Sequence, residues 1–471
     1  MATINTTQIR RFRAYLSEEV DAASLAVFRM GFGFILFVDC FRYILQMCLE
    51  CRYAQNYFLF KYFGFEWVVP PPGNGINWVY GVLGILALGI YLGFFYRFCI
   101  ILFTIGFTYT FLLDQAYYLN HFYMVILFAV LLAVVPAHRY WSLDAYRNPE
   151  WSKPTTPRWS IWLLAAQLEI ILLYAGIVKI NWDWLNLEPL RLWLGEEADF
   201  PVLGELFTQT WSVAFASYGV IALHLIGAPL LMVAKARIWV MVVYASFHTL
   251  NHFVFNIGIF PWMTLFASLL FFSPGWPRHV VARLMSTMSK YSLPNLVPAK
   301  LSKIPNNQPG KLISVPLAIF LVVWLMFHSL VPLRHWLYPG DVAWNEEGHR
   351  FSWRMKLRTK RGKAIYTVRT EDGYAKVDPL LYISPKQYRK MSCIPDMLLQ
   401  FGHHLGEVYK GHGYKQVQVM VDAKCSLNGR PQQVLIDPNV DLTKIERNLG
   451  HATWITELET PLPNPILPWS K

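Results

Sequence analysis

Charge is what this chain has little of. Only 15% of its 471 residues are charged, against about 25% in an ordinary soluble domain. With 55% hydrophobic and 16% aromatic residues, it reads as a polytopic membrane protein followed by a more polar region. Cysteine is sparse: Cys40, Cys48, Cys51, Cys99, Cys393 and Cys425 show no metal-type spacing. Cys48 and Cys51 form a C-x-x-C, but without a βαβ pattern around it this is weak support for redox work. Cys393 and Cys425 are able to pair if their region lies in an oxidising compartment. There is no H-E-x-x-H motif, no internal repeat and no low-complexity segment. No cleavable signal peptide is evident, so the first apolar run is expected to act as a signal anchor.

Apolar runs long enough to span a bilayer occur near 24–46, 76–96, 98–114, 119–136, 159–179, 213–233, 237–254, 258–274 and 312–334. About nine spans are expected, although the seventh and eighth are short and are also readable as one span plus a re-entrant piece. The net charge of +12 would suggest nucleic acid or anionic lipid in a soluble protein. Its distribution has a simpler cause. With a cytoplasmic N-terminus and alternating spans, the inner side carries Arg10, Arg11, Arg13, Arg97, Arg139, Arg147, Lys153, Arg158, Lys235, Arg237, Arg278, Arg283, Lys290, Lys300, Lys303 and Lys311. The short outer loops carry only Arg52, Lys61 and Arg191. This positive-inside asymmetry accounts for much of the basic balance without nucleic acid as a partner. It divides the chain into a membrane domain, 1–334, and an extramembrane α+β domain, 335–471, on the periplasmic or lumenal side. In the second, FSWRMKLR (351–358) and KAIYTVRT (363–370) read as paired strands, and 386–409 contains a helical stretch. The run 417–427, Asn428-Gly429 and 431–438 read as a hairpin.

Lys179 closes the fifth run, WSIWLLAAQLEIILLYAGIVK. An ionisable residue in a membrane segment is costly and is a functional candidate; the plain alternative is a lysine that snorkels to the interface. The expected topology brings other polar groups to the same depth: Asn120 and His121 from the fourth span, His248, Asn251 and His252 from the seventh, and Asp39 and Arg42 from the first. The middle of most spans is apolar, with Gln167, Glu169 and His224 as the main exceptions. Polar groups converging in an apolar pocket suit a small-molecule site. Each has a plainer reading. His248 and His252 share a helix face, as metal ligands can, yet no carboxylate or cysteine supports a metal, and none is expected. Asp39 and Arg42, three apart, read as a local ion pair. Glu169 is able to bond a neighbouring helix, and a lone His121 reads as an interfacial residue.

The blocks DAASLAVFRMGFGF (21–34), LLDQAYYLNHFY (112–123), AHRYWSLD (137–144), YAGIVKINWDW (174–184), FHTLNHFVFNIGIFPW (247–262) and SPGWPR (273–278), in this order, resemble the vitamin K-dependent γ-carboxylase family. The resemblance continues through FSWRMKLR (351–358) and QQVLIDPNVDL (432–442). It implies an enzyme that oxidises reduced vitamin K, a phylloquinol or menaquinol, with O2 to the epoxide. The energy released creates a base that removes a glutamyl γ-proton, and the carbanion captures CO2. It implies that Lys179, in the frame A-G-x-x-K-x-x-x-D-W, deprotonates the quinol. It implies that His121, beside Asn120, handles the glutamyl carbanion or its proton. His248 and Asn251 match the family's F-H-x-x-N motif and, with His252, become polar partners for the quinone. Arg358 and Lys360 are candidates for the glutamyl carboxylate, with a solvated strand face as the equal alternative. His349 and Trp353 fall in a stretch that the family uses near its substrate.

Three departures qualify the resemblance. The chain stops soon after the IDP block, where animal carboxylases continue. The cysteines linking membrane and lumenal regions in those enzymes have no counterpart, with Phe60 and Lys61 standing roughly in their place. The one N-x-S/T sequon, at Asn5, is on the inner side. A short, bacterial-type member in an inner membrane is therefore expected, with membrane lipid, a quinol and a glutamyl-containing peptide or protein as partners. Two further functions are weighed: a quinol epoxidase or oxygenase acting on another substrate or without carboxylation, and a non-enzymatic scaffold or transporter. The latter would more often show inverted repeats.

Overall fold

The computed structural model describes residues 6–53, 58–289 and 309–467. Lys290, Lys300, Lys303 and Asn5, used above for charge and sequon, lie outside the described residues. Six helices have the length and apolarity of a membrane span: α1 (Ala23–Gln46), α2 (Gly75–Leu92), α5 (Arg158–Ile177), α6 (Thr210–Leu230), α7 (Arg237–Phe255) and α9 (Val315–Leu337). Three more apolar helices, α3 (Tyr96–Leu112), α4 (Asn120–Val134) and α8 (Phe260–Phe271), have 10–17 residues. At about 1.5 Å per residue they fall short of a roughly 30 Å hydrocarbon core. The protein is thus mainly helical with a membrane region, and length and composition support six spans where nine are expected.

Burial ranks the helices. The apolar window of α5 is 72% buried and that of α1 61%, whereas those of α7 and α9 are each 17% buried. The central helix is therefore the one whose last residues lead to Lys179, and the outer helices turn apolar faces such as Ile238, Trp239, Val242, Val322 and Val323 outward. One end of the bundle is tied by β1 (Glu19–Asp21) and β2 (Thr155–Pro157), which pair antiparallel. Ion pairs Arg158–Glu18 at 2.5 Å and Arg278–Asp21 at 3.3 Å join the same end. The other end carries Lys179 and meets the C-terminal region.

That region is built on a four-stranded antiparallel sheet, ordered β4-β3-β5-β6, from β3 (Lys360–Thr370), β4 (Gly373–Val377), β5 (Gln418–Leu427) and β6 (Gln433–Val434). Alternation puts the pairs Ala364↔Ala423, Tyr366↔Val421 and Val368↔Val419 on one buried face. That face packs on α11 (Pro395–Gly411), with Tyr366 donating its hydroxyl to the Leu398 carbonyl at 2.9 Å. The helical stretch near 386–409 is two helices, α10 (Pro385–Met391) and α11, because Pro395 has no N–H to continue the first and opens the second at its first turn. Asn428 and Gly429 have φ of 50° and 81°, the double left-handed turn expected of Asn-Gly between strands. Cys393 and Cys425 form a disulfide joining the α10–α11 turn to β5. Gly362 stands opposite Cys425 in the register, and a Cβ there would meet the Cys393 sulfur at 2.5 Å.

One expectation is overturned. Residues 351–358 are not a strand, and β3, which begins at Lys360, pairs with β4 and β5 instead. Phe351, Trp353 and Lys356 have φ of 60°, 55° and 51°, a region non-glycine residues occupy only when their surroundings hold them there. The alternation F-S-W-R-M-K-L-R reads as a strand by period, yet its side chains drop one after another into the end of the bundle. The Phe351 N–H donates to the Tyr118 hydroxyl at 2.8 Å. Trp353 stacks on Tyr123 with centroids 5.0 Å apart. The Lys356 ammonium sits 4.6 Å above the Phe255 ring.

Candidate functional site

Lys179 lies two residues beyond the end of α5, where the last helical carbonyls lose their intrahelical partners. Its ammonium turns back and donates to the Ala175 carbonyl at 2.8 Å. The Trp184 ring lies 5.1 Å away on the other side. The residue is 5% exposed. No carboxylate pairs with it among the described residues, and the charge it feels most is the Arg354 guanidinium. An apolar cluster including Val178, Trp184, Leu187, Val220, Val254 and Leu357 surrounds it. This is not a snorkelling side chain: the ammonium is held inside the protein.

The turn after Lys179 is locked to the outer sheet. Asn181 caps a short helix by accepting from Trp184 N at 3.1 Å. Asp183 then takes both guanidinium nitrogens of Arg430 at 2.6 Å and the Asn428 amide at 2.7 Å. Both side chains of this pair are buried, at 5% and 8% exposed. The Asp-Trp that ends the Lys179 frame therefore fixes the lysine's loop to the β5–β6 turn.

A π-helical turn in α6, Leu223–Gly227, brings His224 against α5. The two backbones approach at Gly176, where a Cβ would meet the His224 Cβ at 2.9 Å. His224 Nδ1 bonds the Val220 carbonyl at 2.8 Å, and its ring meets Tyr244 and Phe247 edge-on. His248 stacks on Tyr244 at 5.7 Å and is 2% exposed, with Nε2 buried and unpartnered. His252 lies against Trp262, with a buried Nδ1 that has no partner. Asn251 is half-buried. Both Glu169 oxygens are buried without a partner, so the bond to a neighbouring helix is not formed. Gln167 does make one, accepting from Trp324 Nε1 at 2.8 Å.

His121 and Asn120 begin α4. Asn120 accepts from the Tyr118 hydroxyl at 2.9 Å. The charge that His121 feels most is Arg42, which is itself paired with Asp39 at 2.6 Å, the local ion pair expected of that spacing. Lys179 thus lies beside the Gly176–His224 contact, its N–H bonding the Gly176 carbonyl at 3.0 Å.

In the outer region, Arg358 and Lys360 converge on one buried carboxylate, that of Glu346. Arg358 Nε donates to it at 2.7 Å and Lys360 Nζ at 2.9 Å, with Arg358 Nη2 bonding the other oxygen. Lys360 also donates to the carbonyls of Trp344 and Cys393. Neither cation forms the solvated strand face that was the alternative. Burial alone would raise the Glu346 carboxyl, but Arg358 and Lys360 together outweigh it and hold it well below the usual carboxylate range. Burial lowers Lys360 to about 8 despite Glu346. Burial, reinforced by Arg358, holds the His349 imidazole well below its ordinary value. Trp353 is fully buried in its stack on Tyr123 and supports the segment. Sequence reasoning missed Glu346, Arg354 and the Asp183–Arg430 pair. Long-range ion pairs and the lack of one leave no local pattern in the sequence.

Residues 17–276 match the family model described as HTTM domain. Residues 314–461 match the one described as vitamin K-dependent gamma-carboxylase, lumenal domain. No solved structure matches the chain. With an apolar helical bundle under the first match and the four-stranded sheet under the second, the chain belongs to the vitamin K-dependent gamma-carboxylase family.

Proposed function

We propose that this protein uses a reduced vitamin K, oxidised by O2, to drive γ-carboxylation of glutamyl residues with CO2. The observation that carries the reading is Lys179, a buried ammonium without a carboxylate partner at the end of the most buried helix. It donates to a helix-end carbonyl and lies against an indole face. The quinol, when bound, supplies the oxidative driving force. The chain's part is to hold a proton acceptor where water is excluded. Exclusion matters because a glutamyl carbanion would be quenched by bulk water. In this reading Lys179, as the neutral amine, takes the quinol hydroxyl proton and becomes the ammonium. His248, Asn251 and His252 face the quinone oxygens, which suits the buried, unpartnered ring nitrogens of the two histidines. Asn120 and His121 serve the glutamyl side.

The same reading divides the chain near residue 335, with a cytoplasmic N-terminus and the sheet domain on the periplasmic or lumenal side, in a bacterial inner membrane. This counts the three shorter helices as spans. The disulfide Cys393–Cys425 suits an oxidising compartment.

A second reading has an observation of its own. Arg358 and Lys360 are already satisfied by Glu346, which leaves them poorly placed to receive a substrate carboxylate. An enzyme that oxidises quinol without carboxylating glutamate would accommodate this. One experiment separates the two: purified protein with reduced vitamin K, O2, labelled bicarbonate and a glutamyl peptide. Label in the peptide together with epoxide is expected. Epoxide without label would establish the second reading, and neither product from active-quality protein would reject both. Lys179→Ala is expected to abolish epoxide formation.

A further inference from the structure

The segment 346–360 gathers His349, Arg354, Arg358 and Lys360 around a single carboxylate, Glu346. Arg358 and Lys360 are paired with it. Arg354 is not. It is 8% exposed, its Nε is sealed from solvent without a partner, and no carboxylate reaches ion-pair distance among the described residues. Asp341 and Glu346 act on it only through space, against Arg358. Asp341 is itself committed to capping Ala343 N at 2.7 Å. His349 lies beside these groups, 7% exposed, with a buried Nδ1 that has no partner. Leu357, three residues on from Arg354, packs in the same apolar cluster as Val178 and Trp184, and the Trp184 ring lies against Lys179.

A buried cation with no counter-ion at ion-pair distance is an unfavourable arrangement. The backbone here adds its own cost, since Trp353 and Lys356, on either side of Arg354, occupy the left-handed region. A chain keeps such an arrangement where a ligand completes it. The guanidinium's planar fork matches one ligand class best, a carboxylate taken through two parallel N–H···O bonds. His349 is able to add a third bond through its free ring nitrogen.

We infer that Arg354, assisted by His349, is the receptor for the side-chain carboxylate of an acidic peptide, holding it beside Lys179. The assignment to a glutamyl side chain rests on the carboxylase reading; the anion site itself does not. It also answers the difficulty that Glu346 raises, because the receptor is the neighbouring arginine and not the two cations that Glu346 occupies.

The test measures binding without quinol, so it is independent of turnover. The full-length protein in detergent micelles is titrated with a fluorescent pentapeptide containing one Glu, and with its Gln counterpart. The parent is expected to prefer the Glu peptide by about tenfold or more, the range of a charge-assisted bond. Arg354→Gln is expected to bind both alike, and its melting midpoint is expected to hold or rise, since an unpaired buried charge is removed. An arginine with a merely structural role would instead lower the midpoint and leave the preference intact; that result overturns the inference. Should Arg354→Gln not fold, Arg354→Lys decides: charge without the fork is expected to weaken the Glu peptide several-fold, and undiminished preference overturns the proposal. Bicarbonate is added as a competitor. Displacement of the Glu peptide at millimolar bicarbonate, lost in Arg354→Gln, would reassign the site to the smaller anion and overturn the peptide assignment. Arg354-dependent Glu preference in a protein that incorporates no label would reject the carboxylase reading while sustaining this one.

Discussion

Breaking the Asp183–Arg430 pair is the most direct way to test how the Lys179 loop is held. The pair is almost wholly buried and carries two bonds of 2.6 Å. Arg430→Met removes the cation and leaves Asp183 with only the 2.7 Å bond from Asn428. Stranding one member of a buried pair costs about 3–5 kcal/mol; the surviving amide bond places the expected loss toward the lower figure. For a protein of this size the melting midpoint should fall by about 3 °C. The double variant Asp183→Leu with Arg430→Met removes both charges together. It is expected to recover most of the loss, because much of the single-variant penalty is the uncompensated charge itself. Thermal melting in detergent micelles, followed by tryptophan fluorescence, reads both effects. Label incorporation into a glutamyl peptide reads whether Lys179 stays in place. A single variant that melts like the parent, or a double variant that falls as far as the single, would refute the argument that this pair fixes the loop.

Gly176→Ala should sharply reduce activity, because its Cβ would meet the His224 Cβ at 2.9 Å and Leu225 at 2.8 Å; unchanged epoxide formation would show that α5 and α6 separate freely there. Gly362→Ala should destabilise the sheet domain, since the added Cβ meets the Cys393 sulfur and the Lys424 carbonyl at 2.5 and 2.7 Å; a melting curve identical to the parent's would contradict this. His349, whose folded-state value is depressed, stays neutral in the fold while the unfolded chain takes up a proton below about pH 6.5. Stability from this group is therefore complete above pH 6.5 and declines as pH falls. Glu346, also depressed, adds a decline that begins near the ordinary glutamate value. His349→Gln should flatten the pH dependence of melting between pH 7 and 5, and an unchanged slope would count against the buried neutral imidazole. Reducing Cys393–Cys425 should cost about 2–4 kcal/mol, seen as a lower midpoint in dithiothreitol.

The sequence by itself determined the membrane character, the order of the apolar helices, the Asn-Gly hairpin and the family. Those features are local: hydrophobic runs, a turn dipeptide and contiguous blocks can be read along one stretch of chain. Lys179 was also visible there, because a charge at the end of an apolar run is conspicuous wherever the run folds. What the tertiary structure decided depends on residues far apart in the chain. Alternation made 351–358 a strand, but contacts with Tyr118, Tyr123 and Phe255 override the local preference and bend it across the bundle. Arg358 and Lys360 stand out in the sequence as cations for a substrate carboxylate, but both pair with Glu346, 12 and 14 residues away. Asp183 meets Arg430 across 247 residues. Arg354 became conspicuous only by lacking a partner. A missing partner is a property of three-dimensional surroundings, and no single stretch of sequence records it.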